Sequence, residues 1–344
     1  MNPFDEISPI LVIGSGSAGR RHALALRELA PNSKITLIKR SSGLQPLEEL
    51  HKSNIQISSE LDESLKENPM AVVIASPATK HLEDAEHVFS HCKNVLIEKP
   101  LAHSASAADQ LVKLGVLHSA SVMVGYHLRF SETQIRLLEL KTSLDLGSVV
   151  SAQFGYGQHL SLWRPSINPE NSVTARSDLG GGVLLELSHE IDAVDFLIGK
   201  IVSVESSELG FHGAPTDGLV ETIADFRLIV ESGVEVIIHL DMTDLNPWRI
   251  WRIHFENGML EADLLKGQIF ATLGNSPRKL IHQSNLAERK TAALDQGYAF
   301  LSNVQSQNID VRSLRQSAFV SEVIEVVRQT FLLGQPIPIV ARNS

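Results

Sequence analysis

The sequence predicts an α/β protein, with an N-terminal doubly wound parallel sheet followed by an α+β domain that carries a large open, mainly antiparallel sheet. Three observations carry this expectation. Short apolar runs alternate with helix-compatible segments in the first part of the chain, the first run ends in a glycine-rich turn, and beyond Gly147 the alternation gives way to successive strand patterns joined by short turns. At 344 residues the chain exceeds what one hydrophobic core usually supports. Two domains are therefore expected, residues 1–125 and 126–344.

The first element is the run Ile10-Leu11-Val12-Ile13, which leads directly into Gly14-Ser15-Gly16-Ser17-Ala18-Gly19. A helical pattern through His22, Ala23, Leu26 and Leu29 follows. Strand, glycine turn and helix in this order form the Rossmann fingerprint for a dinucleotide. Gly14 allows the tight turn, Gly16 lets the backbone approach a pyrophosphate, and Gly19 lets the helix pack closely on the strand, while the amides of Ser17 and Ala18 open the helix toward the phosphates. A glycine turn that serves packing alone is the plainer alternative, but the context speaks against it. Further strands are expected at Ile35–Ile38, Ala71–Ala75, Asn94–Ile97 and Ser121–Gly125, with helices between them.

After the second strand, an NAD-selective chain usually places an acidic residue for the ribose hydroxyls. Lys39-Arg40-Ser41 stands there instead, and two cations with a hydroxyl suit a 2'-phosphate. NADP is favoured over NAD on this reading, with dual use open and a solvated basic loop as the alternative.

Composition narrows the function classes. Apolar residues make up 43% and charged residues 20%, and 40 acidic against 30 basic residues give a formal charge of -10. Without a Lys/Arg cluster, a nucleic-acid surface is not expected. The single Cys92 rules out an internal disulfide or a thiolate metal cluster, and the histidines lack metal-ligand spacing. The polar start of the chain and the short run Ile10–Ile13 suit neither a signal peptide nor a membrane span. A cytoplasmic protein is expected.

Three further stretches join the glycine turn. They are the extension Gly19-Arg20-Arg21-His22, the run Val72-Val-Ile-Ala-Ser76-Pro77 followed by His81, and Asn94-Val-Leu-Ile-Glu98-Lys99-Pro100. Together they resemble the family of glucose-fructose oxidoreductase, inositol dehydrogenase and rhizopine-catabolism proteins (Gfo/Idh/MocA). The resemblance implies an NAD(P)-dependent oxidoreductase of sugars or cyclitols, with Ser76, Pro77, His81, Glu98 and Lys99 beside the cofactor and Lys99 at the centre of the chemistry. Proline fixes the turn that closes a buried strand and aims the lysine at the carboxyl ends of the sheet, where an amine can stabilise charge on a reacting oxygen. An exposed charged turn is the alternative reading of Glu98 and Lys99. Tyr126-His127-Leu128-Arg129-Phe130 resembles the family's crossover segment, which places His127 and Arg129 toward substrate. Arg129 equally suits an ion pair with a carboxylate.

In the second half, Val234, Val236, Ile238, Leu240 and Met242 alternate with Glu235, Ile237, His239 and Asp241, and Asn257-Gly258 marks a hairpin. The resulting sheet has a second face to cover, and the resemblance implies that a partner subunit covers it in a homodimer or homotetramer. Before the later strands, Gly180-Gly-Gly leads into an apolar-periodic stretch that predicts a buried helix over Val183–Ile198, ended by Gly199. On one helix, Glu186 and His189 share a face. His189 matches the family's proton-transfer histidine. The family more often carries an aspartate where Leu185 stands, so Glu186 is a candidate whose role is open, and a core histidine is the alternative for His189. Asp192 and Asp195 read as salt-bridge or capping residues. Trp163 and Arg164 open a polar loop, where an aromatic and a guanidinium suit a sugar ring and an anionic group, as in members from surface-sugar biosynthesis. Trp163 equally suits packing of that loop.

The expected reaction is hydride transfer between nicotinamide and a secondary alcohol or ketone of a sugar-like substrate at the domain junction, with no metal. A redox-neutral glycosidase that retains NAD and a non-catalytic cofactor sensor are the alternatives on this fold. The presence of both Lys99 and His189 argues against the sensor.

Overall fold

The computed structural model describes residues 2–40, 48–163, 168–284, 288–307 and 312–339. By internal contacts the chain divides into two compact units. The first is Met1–His127 with Lys290–Ser321, and the second is Leu128–Arg289 with Glu322–Ser344.

In the first unit every apolar run read from the sequence is a strand. β1 (Ile10–Ile13), β2 (Ile35–Ile38), β3 (Gln56–Ser58), β4 (Ala71–Ile74), β5 (Asn94–Ile97) and β6 (Ser121–Val124) pair in parallel in the order β3-β2-β1-β4-β5-β6. Strands covered on both faces need apolar residues at consecutive positions, and β1, β2 and β4 are buried throughout. The short edge strand β3, Gln-Ile-Ser, has no such run to announce it. Strand order reverses between β1 and β4, so the ligand crevice of this sheet type lies beyond their carboxyl ends. Gly14 follows β1 there, and Ala75-Ser76-Pro77 follows β4.

A late segment completes this unit's core. Phe300, Leu301 and Val304, on the helix Glu288–Ser306, join the apolar cluster of Phe4, Ile7, Ile10, Val12, Leu26 and Leu37. Gly115 makes room for a second late residue, since a Cβ there would lie 2.7 Å from Leu314 Cδ2.

The second unit is built on nine strands. They are β7 (Val149–Gly157), β8 (Ile201–Gly210), β9 (Ile223–Val230), β10 (Glu235–Asp241), β11 (Trp248–Phe255), β12 (Gly258–Asp263), β13 (Gln268–Leu273), β14 (Lys279–Gln283) and β15 (Ile337–Pro338). Their order is β14-β13-β12-β11-β7-β10-β9-β8-β15, antiparallel except for the parallel pair β7 and β10. The alternation expected along β10 holds. Val236, Ile238 and Leu240 are buried, while the intervening Glu235, Ile237 and His239 are not. The helix His189–Leu197 packs on β7 and β10, and the helix Glu132–Ser143 packs on β12 and β13. No helix among the described residues is long and apolar enough to cross a membrane.

The Phe300→Ala variant is expected to destabilise the nucleotide unit by about 3–5 kcal/mol, the usual cost of emptying a buried aromatic site. Urea denaturation followed by a probe in residues 1–127 checks this. An unchanged midpoint would remove Phe300 from that core.

Candidate active site

The three glycines of the first turn have three different environments. A Cβ on Gly14, whose φ is +110°, would lie 2.5 Å from the Ala75 carbonyl oxygen, and one on Gly19 would lie 1.9 Å from that of Gly14. Both positions serve close packing. A Cβ on Gly16 would meet nothing within 4 Å among the described residues, so its bareness serves no packing against them. Gly16 and Ser17 are exposed at the start of the helix Ser17–Leu29, and no side chain caps that first turn. Exposed helix-start amides beside a bare backbone form an anion cradle that fits a dinucleotide pyrophosphate.

On the same sheet edge, Glu98 ends β5 and is buried. Its Oε1 accepts from Arg21 at 3.1 Å and lies 2.7 Å from His22 Nε2, and its Oε2 accepts from the Lys99 amide at 3.1 Å. Burial alone would raise this carboxyl. The His22 hydrogen bond and the charges of His22, Arg21 and Lys99 outweigh that and hold Glu98 far below the usual carboxylate range. Gly125 allows the turn to sit against β6, because a Cβ there would come within 2.9 Å of the Glu98 Cα. The bond between Lys99 and Pro100 is cis. Lys99 itself is half-buried at the mouth of this edge.

His81, which the resemblance puts beside the cofactor, is held between two backbone carbonyls. It is buried, with Nδ1 3.0 Å from the Leu101 carbonyl oxygen and Nε2 2.9 Å from that of Ser76. It therefore ties the segment after β4 to the segment after β5. Burial pushes its pKa below the usual histidine value, and the two carbonyls pull the other way. The Ser76 hydroxyl donates to Asp84 Oδ2 at 2.5 Å, and Arg40 donates to Asp84 Oδ1. Pro77 opens the short turn before His81. The Lys39 amide bonds the Ser58 carbonyl at 2.8 Å. Ser41 lies outside the described residues, as does Arg164.

In the second unit the helix expected over Val183–Ile198 is interrupted. Val183–Glu186 and His189–Leu197 are separate helices, and at the break the Glu190 amide bonds only three residues back, to the Leu187 carbonyl at 3.2 Å. Glu186 ends the first helix half-buried, and His189 opens the second, buried. They therefore do not share one continuous helical face. The second helix also buries Glu190 and Asp192. Glu190 is gripped by Arg249 at 2.6 and 2.9 Å and lies 3.3 Å from Trp251 Nε1. Asp192 is gripped by Arg129 at 2.9 and 2.6 Å. Arg129 thus forms the ion pair of one of its two readings, and the guanidinium also lies over the Phe196 ring at 5.4 Å. Burial pushes the Asp192 carboxyl up to about 6 against the opposing pull of Arg129, and Asp195 adds to the rise.

Trp163 stacks on Tyr156, with centroids 6.1 Å apart, and donates to the Gln158 carbonyl at 2.9 Å. The Arg249 guanidinium lies over the Tyr156 ring at 4.9 Å. His127 is half-buried at the start of the short turn His127–Phe130. Burial pushes the Cys92 thiol up to about 11, which suits an inert core residue. Among the described residues no group of three His, Cys, Asp or Glu side chains could hold a metal ion.

Sequence reasoning missed Asp84, Glu190 and Arg249. Asp84 carried a signal, since it falls on the buried face His81, Asp84, Ala85 and Val88 of its helix. Glu190 belongs to a helix buried nearly all round, where periodicity distinguishes no face.

Residues 9–126 match the model of the Gfo/Idh/MocA family, described as an oxidoreductase family with an NAD-binding Rossmann fold. Over this segment the chain is similar to that family. Among similar proteins is the 2,7-anhydro-N-acetylneuraminate hydratase of Mediterraneibacter gnavus, 26% identical over 55% of this chain and 48% of that one. Another is the inositol 2-dehydrogenase of Rubrobacter xylanophilus, 29% identical over 63% and 59%. The chain thus spans about half the length of the curated relatives it matches. In fold, the chain is similar to levoglucosan dehydrogenase in complex with NADH and levoglucosan, with a TM-score of 0.83, 15% identity and coverage of 96% and 99%.

Two outcomes are expected. Gly16→Val leaves thermal stability nearly unchanged but abolishes measurable dinucleotide binding, whereas Gly19→Ala unfolds or strongly destabilises the chain; equal effects on both readouts would contradict the separate roles. The second outcome follows from Asp192, which binds its proton more tightly folded, at about 6, than at the ordinary value of 3.8. Its contribution to stability therefore grows as pH falls through that interval and shrinks as pH rises. Compared with Asp192→Asn, the wild type should gain stability as pH is lowered from about 7 to about 4, measured by denaturation at each pH. A difference that does not vary with pH would show that Asp192 does not titrate there.

Proposed function

We propose that the chain is an NAD(P)-dependent oxidoreductase of the cytoplasm, acting on a secondary alcohol or ketone of a sugar, sugar derivative or cyclitol. The observation that carries this reading is the pairing of the open Gly16 backbone with Lys99 on one sheet edge, one strand beyond the switch point. The relatives named for inositol and levoglucosan point to the substrate class.

The residues present fit the dinucleotide. Gly14, Gly16, Ser17, Ala18 and Gly19 would hold its pyrophosphate through backbone amides. When bound, the nicotinamide supplies or accepts the hydride at its C4. In the oxidative direction the substrate carbon loses hydride and its hydroxyl loses a proton, so the protein must stabilise the developing oxyanion and take that proton. The Lys99 ammonium hydrogen-bonds the oxygen, and the His189 imidazole takes the proton. Glu98 accepts from the Lys99 amide and so fixes the turn that presents the amine. Trp163 supports a sugar ring, and a homodimer or homotetramer covers the open face of the nine-stranded sheet.

Fluorescence titration with NADH and NADPH, followed by a panel of sugars and cyclitols, tests the assignment. In Lys99→Ala and in His189→Ala, kcat should fall about a hundredfold or more while dinucleotide affinity stays nearly intact. Unchanged turnover would remove the substituted residue from the mechanism.

A further inference from the structure

We propose that Asp84 makes the nucleotide unit selective for NAD(H) over NADP(H), by holding Arg40 away from a 2'-phosphate. The inference rests on the dinucleotide site of the proposed function and specifies its cofactor.

Arg40 is the second residue after β2, the place where this kind of sheet distinguishes a ribose hydroxyl from a 2'-phosphate. Its Nη1 donates to Asp84 Oδ1, and the other oxygen of that carboxylate accepts from Ser76 Oγ at 2.5 Å. The three residues come from the segment after β2, the segment after β4 and the helix His81–Val88. β2 and β4 are the two neighbours of β1, so the bridge ties together the chain segments on either side of the glycine turn.

The partners are unequal. The Asp84 side chain is 0% exposed and that of Arg40 35% exposed. A carboxylate removed from water is tolerated when it is paired and hydrogen-bonded, so Asp84 depends on Arg40 more than Arg40 depends on Asp84. A 2'-phosphate that drew the guanidinium away would leave the buried carboxylate, among the described residues, with the Ser76 hydroxyl as its donor. It would also bring its own negative charge toward that carboxylate, and toward Glu83, which lies close enough to feel the Arg40 charge. Both effects oppose NADP. A 2'-hydroxyl asks for neither change. Arg40, which reads as part of a phosphate site in sequence, is thereby engaged from a helix more than forty residues away.

The test titrates NADH and NADPH against the full chain by nicotinamide fluorescence, with thermal denaturation to verify folding. The wild type should bind NADH at least about tenfold more tightly than NADPH. Asp84→Asn should raise NADPH affinity about tenfold or more while NADH affinity moves less than about threefold, and adding Arg40→Ala should remove that gain. A purely structural ion pair would move stability but not the ratio. Equal or tighter NADPH binding by the wild type overturns the proposal, even if Asp84→Asn fails to fold. So does an unmoved ratio in a folded variant. Binding of neither nucleotide overturns the proposed function and this inference with it.

Discussion

The Glu98 carboxylate joins the two turns on which the candidate chemistry depends. One oxygen is held by His22 and Arg21, on the helix that the glycine turn opens, and the other by the amide of Lys99, on the turn that closes β5. A buried carboxylate that accepts several hydrogen bonds is rigid, because each lost partner leaves charge unsatisfied in a poorly solvated place. The distance between the glycine turn and the lysine is thus set by electrostatics as well as by strand packing. The bare Cα of Gly125 keeps the neighbouring strand close enough to seal this arrangement.

The same economy appears in the second unit. The helix His189–Leu197 buries two carboxylates, and each meets an arginine with two hydrogen bonds. Neither arginine lies near its partner in sequence, and the two pairs anchor the helix that begins with His189 to the sheet and to the segment after His127. Fork-shaped pairing fixes orientation as well as position, so the imidazole begins a helix with little rotational freedom.

The parallel sheet was legible because its strands are buried on both faces and so are continuous apolar runs such as Ala71–Ile74, and because the glycines stand where backbone must approach backbone. The hairpin at Asn257-Gly258 was legible from turn chemistry alone. What escaped was long-range polar pairing. Arg40 looks the same in sequence whether it faces a phosphate or a carboxylate, and Asp84 is one of several acids on its helix. The break between Glu186 and His189 escaped as well, since an uninterrupted apolar pattern gives no sign of one tightened turn. Family resemblance supplied Lys99 and His189, which spacing alone would have left as an ordinary charged turn and a core histidine.

Phe300, Leu301 and Val304 belong to the core that also contains Phe4 and Ile10. The nucleotide unit is therefore not a detachable N-terminal cassette. During synthesis, the strands β1 to β6 leave the ribosome long before the residues that complete the cover of this core, and the nascent sheet must wait with part of an apolar face bare while β7 to β14 are made. Fusions or truncations that stop near residue 127 would keep that partly bare face permanently.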